Sequence, residues 1–214
     1  MTVEQLQRAL NALDDGVLQH GSHNPGRAFC ALEFESQVRG RVWSDDPVSL
    51  PDLRSLNDGP WLSDQERTDA LLPVMSALWD WSRWSSTQRQ AWTAYVVIKT
   101  VNRIISQLPG LSDVVRKQCR RAHDLRAAAE AAEAARQETT GASDTAAAEA
   151  AAAAKAAAAG ASGRAAWMAG TTVGVARTEA IALVGRAVSH AAEEVKHSVL
   201  QITCAICIAG AKLK

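Results

Sequence analysis

The sequence predicts an all-α protein: a compact, tryptophan-rich helical head followed by long alanine-rich helices that form a hairpin, bundle or coiled coil. Three observations support this prediction. Apolar residues recur at spacings of three and four through most of the chain, which is the period of a helix with one buried face. Two segments open with a capping-box pattern. Alanine, which has the highest helix propensity, dominates much of the second half.

The aromatic residues place the boundary between the two parts. Among the tryptophans, only Trp167 follows residue 110. Residues 1–110 are therefore predicted to form the head and residues 111–214 the alanine-rich helical arm. The head has a net charge of −3 and the arm one of +3, so neither is basic enough to make nucleic-acid binding the default.

The head is predicted to contain a series of helices with one apolar face each. The first runs from Val3 to Leu13. Ser63 to Glu66 and Ser85 to Gln88 have capping-box spacing and open two further helices, and Pro73 lies inside the earlier one. Pro109 and Gly110 end the later one.

The arm is predicted to contain a helix over residues 112–138, an alanine run over 144–159, and a last helix over about 164–212. The first and last of these carry apolar stripes that require a partner helix, and the two can meet each other or the same stripes of another copy. We call these residues the interaction seam: Leu111, Val115, Leu125, Ile181, Val184, Val188, Val195, Val199, Ile202 and Ile206.

The stretch from residue 27 to residue 58 mixes acids, arginines and apolar residues closely. Cys30 and Glu33 are three residues apart on a short predicted helix, which predicts that Glu33 is at least partly buried. A buried carboxylate needs a partner, and the candidates are Arg41, Arg54 and Arg67. The predicted polar network comprises Cys30, Glu33, Asp45, Asp58 and Arg67.

The same stretch carries the pattern C-x-x-E...G-x-x-W-S-D-x-P...N-D, with Cys30, Gly40, Trp43 and Asn57 among its positions. In this it resembles a group of uncharacterised bacterial and phage proteins that also end in alanine-rich helices. The resemblance covers about the first 130 residues in pattern. It implies a fold but no activity, and the chain departs from the group at Asp46, where members often have histidine.

A metal site is an alternative interpretation of the same stretch. His20 and His23 lie in a glycine-containing loop, and with Glu33, Asp45 and Asp46 they provide ligand types for a divalent metal. A metal-dependent hydrolase centred on Glu33, Asp45, His20 and His23 is therefore one functional hypothesis. No H-E-x-x-H spacing is present, so the sequence favours a polar network that caps short helices, with no cofactor.

Three further motifs have a structural interpretation that is favoured over a chemical one. Cys204 and Cys207 match C-x-x-C inside a predicted helix, where a thiol is not activated. Glu194 and His197 match one half of a di-iron motif whose second half is missing. The basic cluster from Arg116 to Arg126 has no interleaved aromatics, so nucleic-acid binding through it is a third hypothesis that the sequence does not favour.

Together these patterns predict a protein that is not an enzyme and that acts by protein–protein interaction or self-assembly through its C-terminal helices. The predicted partner is another copy of the chain, giving a homo-oligomer, or another helical protein. The four cysteines and the lack of a secretory leader predict a cytoplasmic protein, and no window is apolar enough to span a membrane.

Overall fold

The structure is a computed structural model of the 214-residue chain and describes residues 1–13, 15–21, 23, 28–108, 110–140 and 193–213. The described residues form helices and no strands, which confirms the all-α fold class for that part of the chain. None of the described helices combines the length and apolar character needed to cross a bilayer. The helices are α1 (Val3–Leu13), α2 (Ala31–Val38), α3 (Arg54–Asn57), α4 (Asp64–Leu78), α5 (Ser86–Arg103), α6 (Asp113–Arg121), α7 (Leu125–Thr140) and α8 (Glu193–Ala211).

Helices α4 and α5 begin where the sequence predicts, whereas α2 begins at Ala31, after Cys30, which was expected inside it. The Ser63 hydroxyl accepts a hydrogen bond from the Glu66 backbone N–H at the start of α4. Ser85 and Gln88 form a reciprocal capping box at the start of α5. These contacts satisfy backbone N–H groups that have no partner within the helix. α4 continues through Pro73 to Leu78.

One predicted element was wrong: the helix expected over residues 112–138 is two helices. The Asp124 carboxylate accepts a hydrogen bond from the Ala127 backbone N–H and thereby starts α7. The Asn102 side chain donates to the carbonyls of Cys119 and Ala122, at the end of α6. The chain therefore turns between α6 and α7, and both helices pack against α5.

Helix α5 is buried on two sides and separates two apolar clusters. Trp92 and Val96 belong to the first cluster, which includes residues of α1, α2, α4 and α8. Val97 and Val101 belong to the second, which contains residues of α6 and α7. Because its two faces serve different clusters, α5 is the helix that joins the two halves of the described structure.

Helix α8 packs against α4 and α5 and completes the first cluster. Leu200 and Ile206 are almost fully buried there, and burying such side chains contributes about 1.5–3 kcal/mol each. The Trp92 indole N–H donates to the Cys207 carbonyl at 3.0 Å. At Gly210, a Cβ would lie 3.0 Å from carbon atoms of both Trp92 and Tyr95. The missing side chain therefore lets α8 approach α5 closely.

The described end of the predicted arm thus shares a core with the head. The division at residue 110 was drawn from the aromatics and stays a prediction, because residues 141–192, which include the alanine run, lie outside the described residues. In the structure, α8 contacts Trp92 of the predicted head. Leu200 of α8 also packs against Gly59 of the head.

We expect Gly210→Val to destabilise the protein by about 1–3 kcal/mol, because the new side chain meets the Trp92 and Tyr95 rings in a close-packed interface. Urea denaturation followed by tryptophan fluorescence measures the change in unfolding free energy. Ala205→Val is the matched control, since Ala205 is exposed on the same helix and only helix propensity changes there. Equal losses in both variants would contradict the packing of α8 on α5.

Candidate functional site

The candidate site is built around the start of α2, where Cys30 and Glu33 form a capping box. The Glu33 backbone N–H donates to the Cys30 sulfur at 3.5 Å, and the Cys30 backbone N–H donates to the Glu33 carboxylate at 2.8 Å. Cysteine thus takes the position that serine or threonine usually holds in this motif. The C-x-x-E pattern is explained by helix capping.

Glu33 is 1% exposed and its carboxylate holds a loop of the head in place. It accepts a hydrogen bond from the His23 backbone N–H at 2.6 Å, and its other oxygen lies 2.9 Å from His23 Nδ1. The arginines expected to pair with Glu33 bind elsewhere: Arg41 pairs with Glu35, Arg54 with Asp52, and Arg67 with Asp64. That expectation was wrong because backbone N–H groups and His23 satisfy the carboxylate instead.

Asn57 and Asp58 hold the same loop from the other side. The buried Asn57 side chain accepts a hydrogen bond from the Ala31 backbone N–H at 3.1 Å and donates to the Gln19 carbonyl at 2.9 Å. Asp58 accepts from the Gly21 backbone N–H at 2.8 Å. The N-D pair therefore joins the end of α3 to the loop and to the start of α2.

The side chains of Trp43 and Arg67 also bind carbonyls of the loop. The Trp43 indole N–H donates to the His23 carbonyl at 3.1 Å. The Arg67 guanidinium, almost fully buried, donates to the carbonyls of Leu18 and Asn57. Of the residues predicted to form a polar network, Glu33, Asp58 and Arg67 bind the loop and Cys30 binds Glu33, whereas Asp45 lines a neighbouring cavity. These contacts fix a loop that has no regular secondary structure.

A cavity of about 180 Å³ lies beside this network. Among its lining groups are the carboxylates Asp45 and Asp58 and the guanidinium of Arg54. Asp52 binds Arg54 through both of its oxygens, and this hydrogen bonding raises the pKa of Arg54 above its ordinary value. The full lining consists of Gly21, Cys30, Leu32, Asp45, Arg54, Asn57 and Asp58.

The thiol of Cys30 borders the cavity, but it is not activated. Burial, together with the neighbouring Glu33 charge, raises its pKa to about 12. A nucleophilic cysteine needs a lowered pKa, which is usually supplied by a cation or a histidine. At neutral pH the Cys30 thiol is therefore protonated and acts as a helix cap.

The candidate metal ligands do not meet in one place. His20 is exposed, whereas His23 is half-buried against Glu33. Asp46 is exposed, and its backbone N–H donates a hydrogen bond to the Ser44 hydroxyl. Within the described ranges, no three histidine, cysteine or acidic side chains come together as a possible metal site.

Sequence reasoning missed a second buried carboxylate, Glu35, which is 1% exposed. It forms ion pairs with Arg39 and Arg41, and the Arg39 guanidinium also lies 4.3 Å from the Trp79 ring centre. The signal in the sequence was the i,i+4 spacing of Glu35 and Arg39 within one helix. This cluster fastens the end of α2 to the end of α4.

Six residues of the interaction seam are buried or half-buried within the chain. Leu111 and Val115 are buried in the second cluster, and Ile206 is buried in the first. Leu125, Val199 and Ile202 are half-buried. Val195 lies in α8, and Ile181, Val184 and Val188 lie outside the described residues.

The C-x-x-C motif lies inside a helix, where the sequence places it. Cys204 and Cys207 are buried in the interior of α8, and burial raises the pKa of both thiols, that of Cys207 to about 12. Glu194 and His197 lie near the start of the described part of α8.

No family model, curated protein or solved structure gives a match to this chain.

We expect Glu33→Gln to lower the unfolding free energy by about 1–3 kcal/mol. An amide has only one oxygen to accept hydrogen bonds, so at least one buried N–H of the loop or of Cys30 loses its partner. Chemical denaturation measures the loss, and Glu4→Gln is the control because Glu4 is exposed. A loss no larger than that of the control would mean that Glu33 does not hold the loop.

Stability should also fall at alkaline pH through the buried thiols. Unfolded thiols ionise near 9.0, whereas burial raises the folded pKa to about 11 for Cys119 and about 12 for Cys207. Above pH 9 the folded chain therefore binds more protons than the unfolded chain, and stability falls as pH rises towards the folded values. Each such thiol contributes a slope of up to about 1.4 kcal/mol per pH unit.

Denaturation of the wild-type protein and of Cys207→Ala between pH 7 and pH 11 tests this prediction. Removing the Cys207 side chain leaves a cavity, which lowers the unfolding free energy by the same amount at every pH. Only the slope of the unfolding free energy above pH 9 therefore tests the prediction. We expect a shallower alkaline slope in Cys207→Ala, and identical slopes would refute the assignment.

Proposed function

We propose that this chain is a non-enzymatic self-assembly protein that associates with further copies of itself through the apolar stripe preceding and entering α8. The observation that supports the proposal most directly is the way α8 docks. One face of the helix fits between α4 and α5, with Gly210 against Trp92 and Leu200 against Gly59. Helix α8 therefore carries a surface that packs closely against other helices.

The sequence of the stripe extends beyond the part that is docked. Ile181, Val184 and Val188 continue the spacing of three and four towards α8. Leu111, Val115 and Ile206 are already used inside the chain, so the proposed contact with a partner is assigned to the upstream part of the stripe. An apolar helical stripe of this kind is buried most simply against the same stripe of a second copy, in a symmetric contact.

The candidate site supports a structural role for the head. Glu33, Asn57 and Arg67 use their side chains to bind backbone atoms of the same chain. These contacts hold a loop and cap a helix. His23 and Glu33 are also bonded to each other, which speaks against a metal-dependent hydrolase that would use both as ligands. The buried, free thiols favour a reducing, cytoplasmic setting.

Light scattering of the full chain tests the proposal. We expect a defined oligomer at micromolar concentration, and we expect the triple variant Ile181→Lys, Val184→Lys and Val188→Lys to be a monomer because charges on the stripe cannot be buried unpaired. The control is Thr178→Lys, Ala182→Lys and Ser189→Lys, which adds the same charge off the stripe. A monomeric wild-type chain, or equal dissociation by both triple variants, would refute the proposal.

A further inference from the structure

The cavity beside the polar network has an apolar floor and an acidic rim. Its lining includes Leu32 and Cys30 from the start of α2, which are 1% and 3% exposed, and we call these two residues the floor. The rim consists of Asp45 and Asp58, of which the first is half-buried and the second exposed. Because the apolar groups are buried and the carboxylates reach solvent, a molecule that enters the cavity meets charge first and apolar surface behind it.

The rim carboxylates have hydrogen-bond acceptors that the chain does not use. Asp45 is half-buried, yet its carboxylate accepts no hydrogen bond from any described residue. Asp58 uses only Oδ1, which accepts from the Gly21 backbone N–H and from the Asn57 amide, both at 2.8 Å. Its Oδ2 has no partner among the described residues. A ligand that brings donors to these oxygens is therefore stabilised at the rim.

Arg54 also lines the cavity, but it does not neutralise the rim. Asp52 binds its guanidinium through both carboxylate oxygens, at 3.0 and 2.7 Å. The hydrogen bond to Asp52 is the main cause of the raised pKa of Arg54, and the charges of Asp45 and Asp46 act on that pKa in the same direction, so both carboxylates lie near the guanidinium. Among the described residues at this place, aspartates outnumber the arginine, and the cavity attracts cations and repels anions.

The lining suits an organic cation better than a metal ion. A divalent metal is held by several oxygen, nitrogen or sulfur ligands at short distance, and no three such side chains converge within the described ranges. A primary ammonium group is a compact charge whose donors are satisfied by the two rim carboxylates and water. The apolar floor also gives an alkyl chain a surface on which to leave water, from which a hydrated metal ion gains nothing.

The volume of the cavity limits the size of the ligand. It measures about 180 Å³. A protein cavity of about 150 Å³ holds one benzene molecule, so a ligand of about five or six heavy atoms fits here. A short alkylamine has this size.

We infer that the cavity binds a small primary alkylamine in its ammonium form. Asp45 and Asp58 bind the ammonium group, and Leu32 and Cys30 cover the alkyl chain. The Cys30 thiol stays protonated and takes no part in any reaction. The site lies in the head and is independent of the proposed self-assembly.

Amide NMR spectra of the full chain, recorded during titration with butylammonium, test the inference. The reporter is the Gly21 amide, which donates to Asp58 at the rim. We expect a saturable shift of this amide with a Kd in the millimolar range. Butanol has the same chain without the charge and butyrate reverses the charge, so each should bind at least about tenfold more weakly at the same ionic strength.

Substitution at the rim provides the matched comparison. Asp45→Asn should weaken butylammonium binding about tenfold, because the amide has nearly the same size and lacks the charge. Asp46→Asn is the control, since Asp46 is the next residue, is exposed and does not line the cavity, and it should change the Kd less than about twofold. The side chain of Asp45 makes no hydrogen bond with the described residues, so both variants should keep the wild-type fold, which the same spectra report.

The inference is overturned if butylammonium leaves the Gly21 amide unshifted at millimolar concentrations. It is equally overturned if butanol binds as tightly as butylammonium, since the cavity would then recognise only the alkyl chain, or if both variants weaken binding to the same extent. Displacement of butylammonium by an equal concentration of Mg²⁺ or Ca²⁺ would assign the rim to a divalent metal and would also exclude the amine as its ligand.

Discussion

Burial of α5 on two opposite sides is the constraint on which the described structure depends. One side contributes Trp92 and Val96 to the cluster formed with α4 and α8, and the other contributes Val97 and Val101 to the cluster formed with α6 and α7. A helix shared by two cores couples them, because displacement of α5 would open both at once. The positions of α6, α7 and α8 all follow from this one helix.

The polar network supplies hydrogen bonds to a loop that has no regular secondary structure. Residues 18–21 and 23 contribute backbone N–H and carbonyl groups that need partners once they are covered. Glu33 and Asn57 supply acceptors and donors from α2 and α3, and Arg67 supplies donors from α4. Helix capping and loop fixation are thus accomplished by the same side chains, which explains why so many polar residues are buried in so short a stretch.

The sequence predicted the elements whose signals are local. The bounds of α1 and the helix starts at Ser63 and Ser85 were predictable because a capping hydroxyl binds the backbone N–H three residues further on. The break at Asp124 was not, since apolar residues at heptad-like intervals, among them Val115, Ala122 and Ala129, continue across it and favour one helix.

Contacts between residues far apart in the chain could not be predicted from the sequence. The burial of Glu33 was predictable from its apolar neighbours, but its partner was not: His23 is brought to it by a loop whose path depends on Asn57 and Trp43. The docking of α8 was likewise beyond sequence reasoning, because an apolar stripe shows that a helix packs without showing against what. Gly210 alone gave no indication that Trp92 lies opposite it.

The docking of α8 also has a consequence for biosynthesis. The first core lacks Leu200, Cys204 and Ile206 until residues 193–211 have left the ribosome, about 90 residues after the end of α5. At translation rates of about 5–20 residues per second, this delay is on the order of 5–20 s. During that time the nascent chain exposes the apolar surface of α4 and α5 that α8 later covers, and this groove is a natural binding surface for a chaperone.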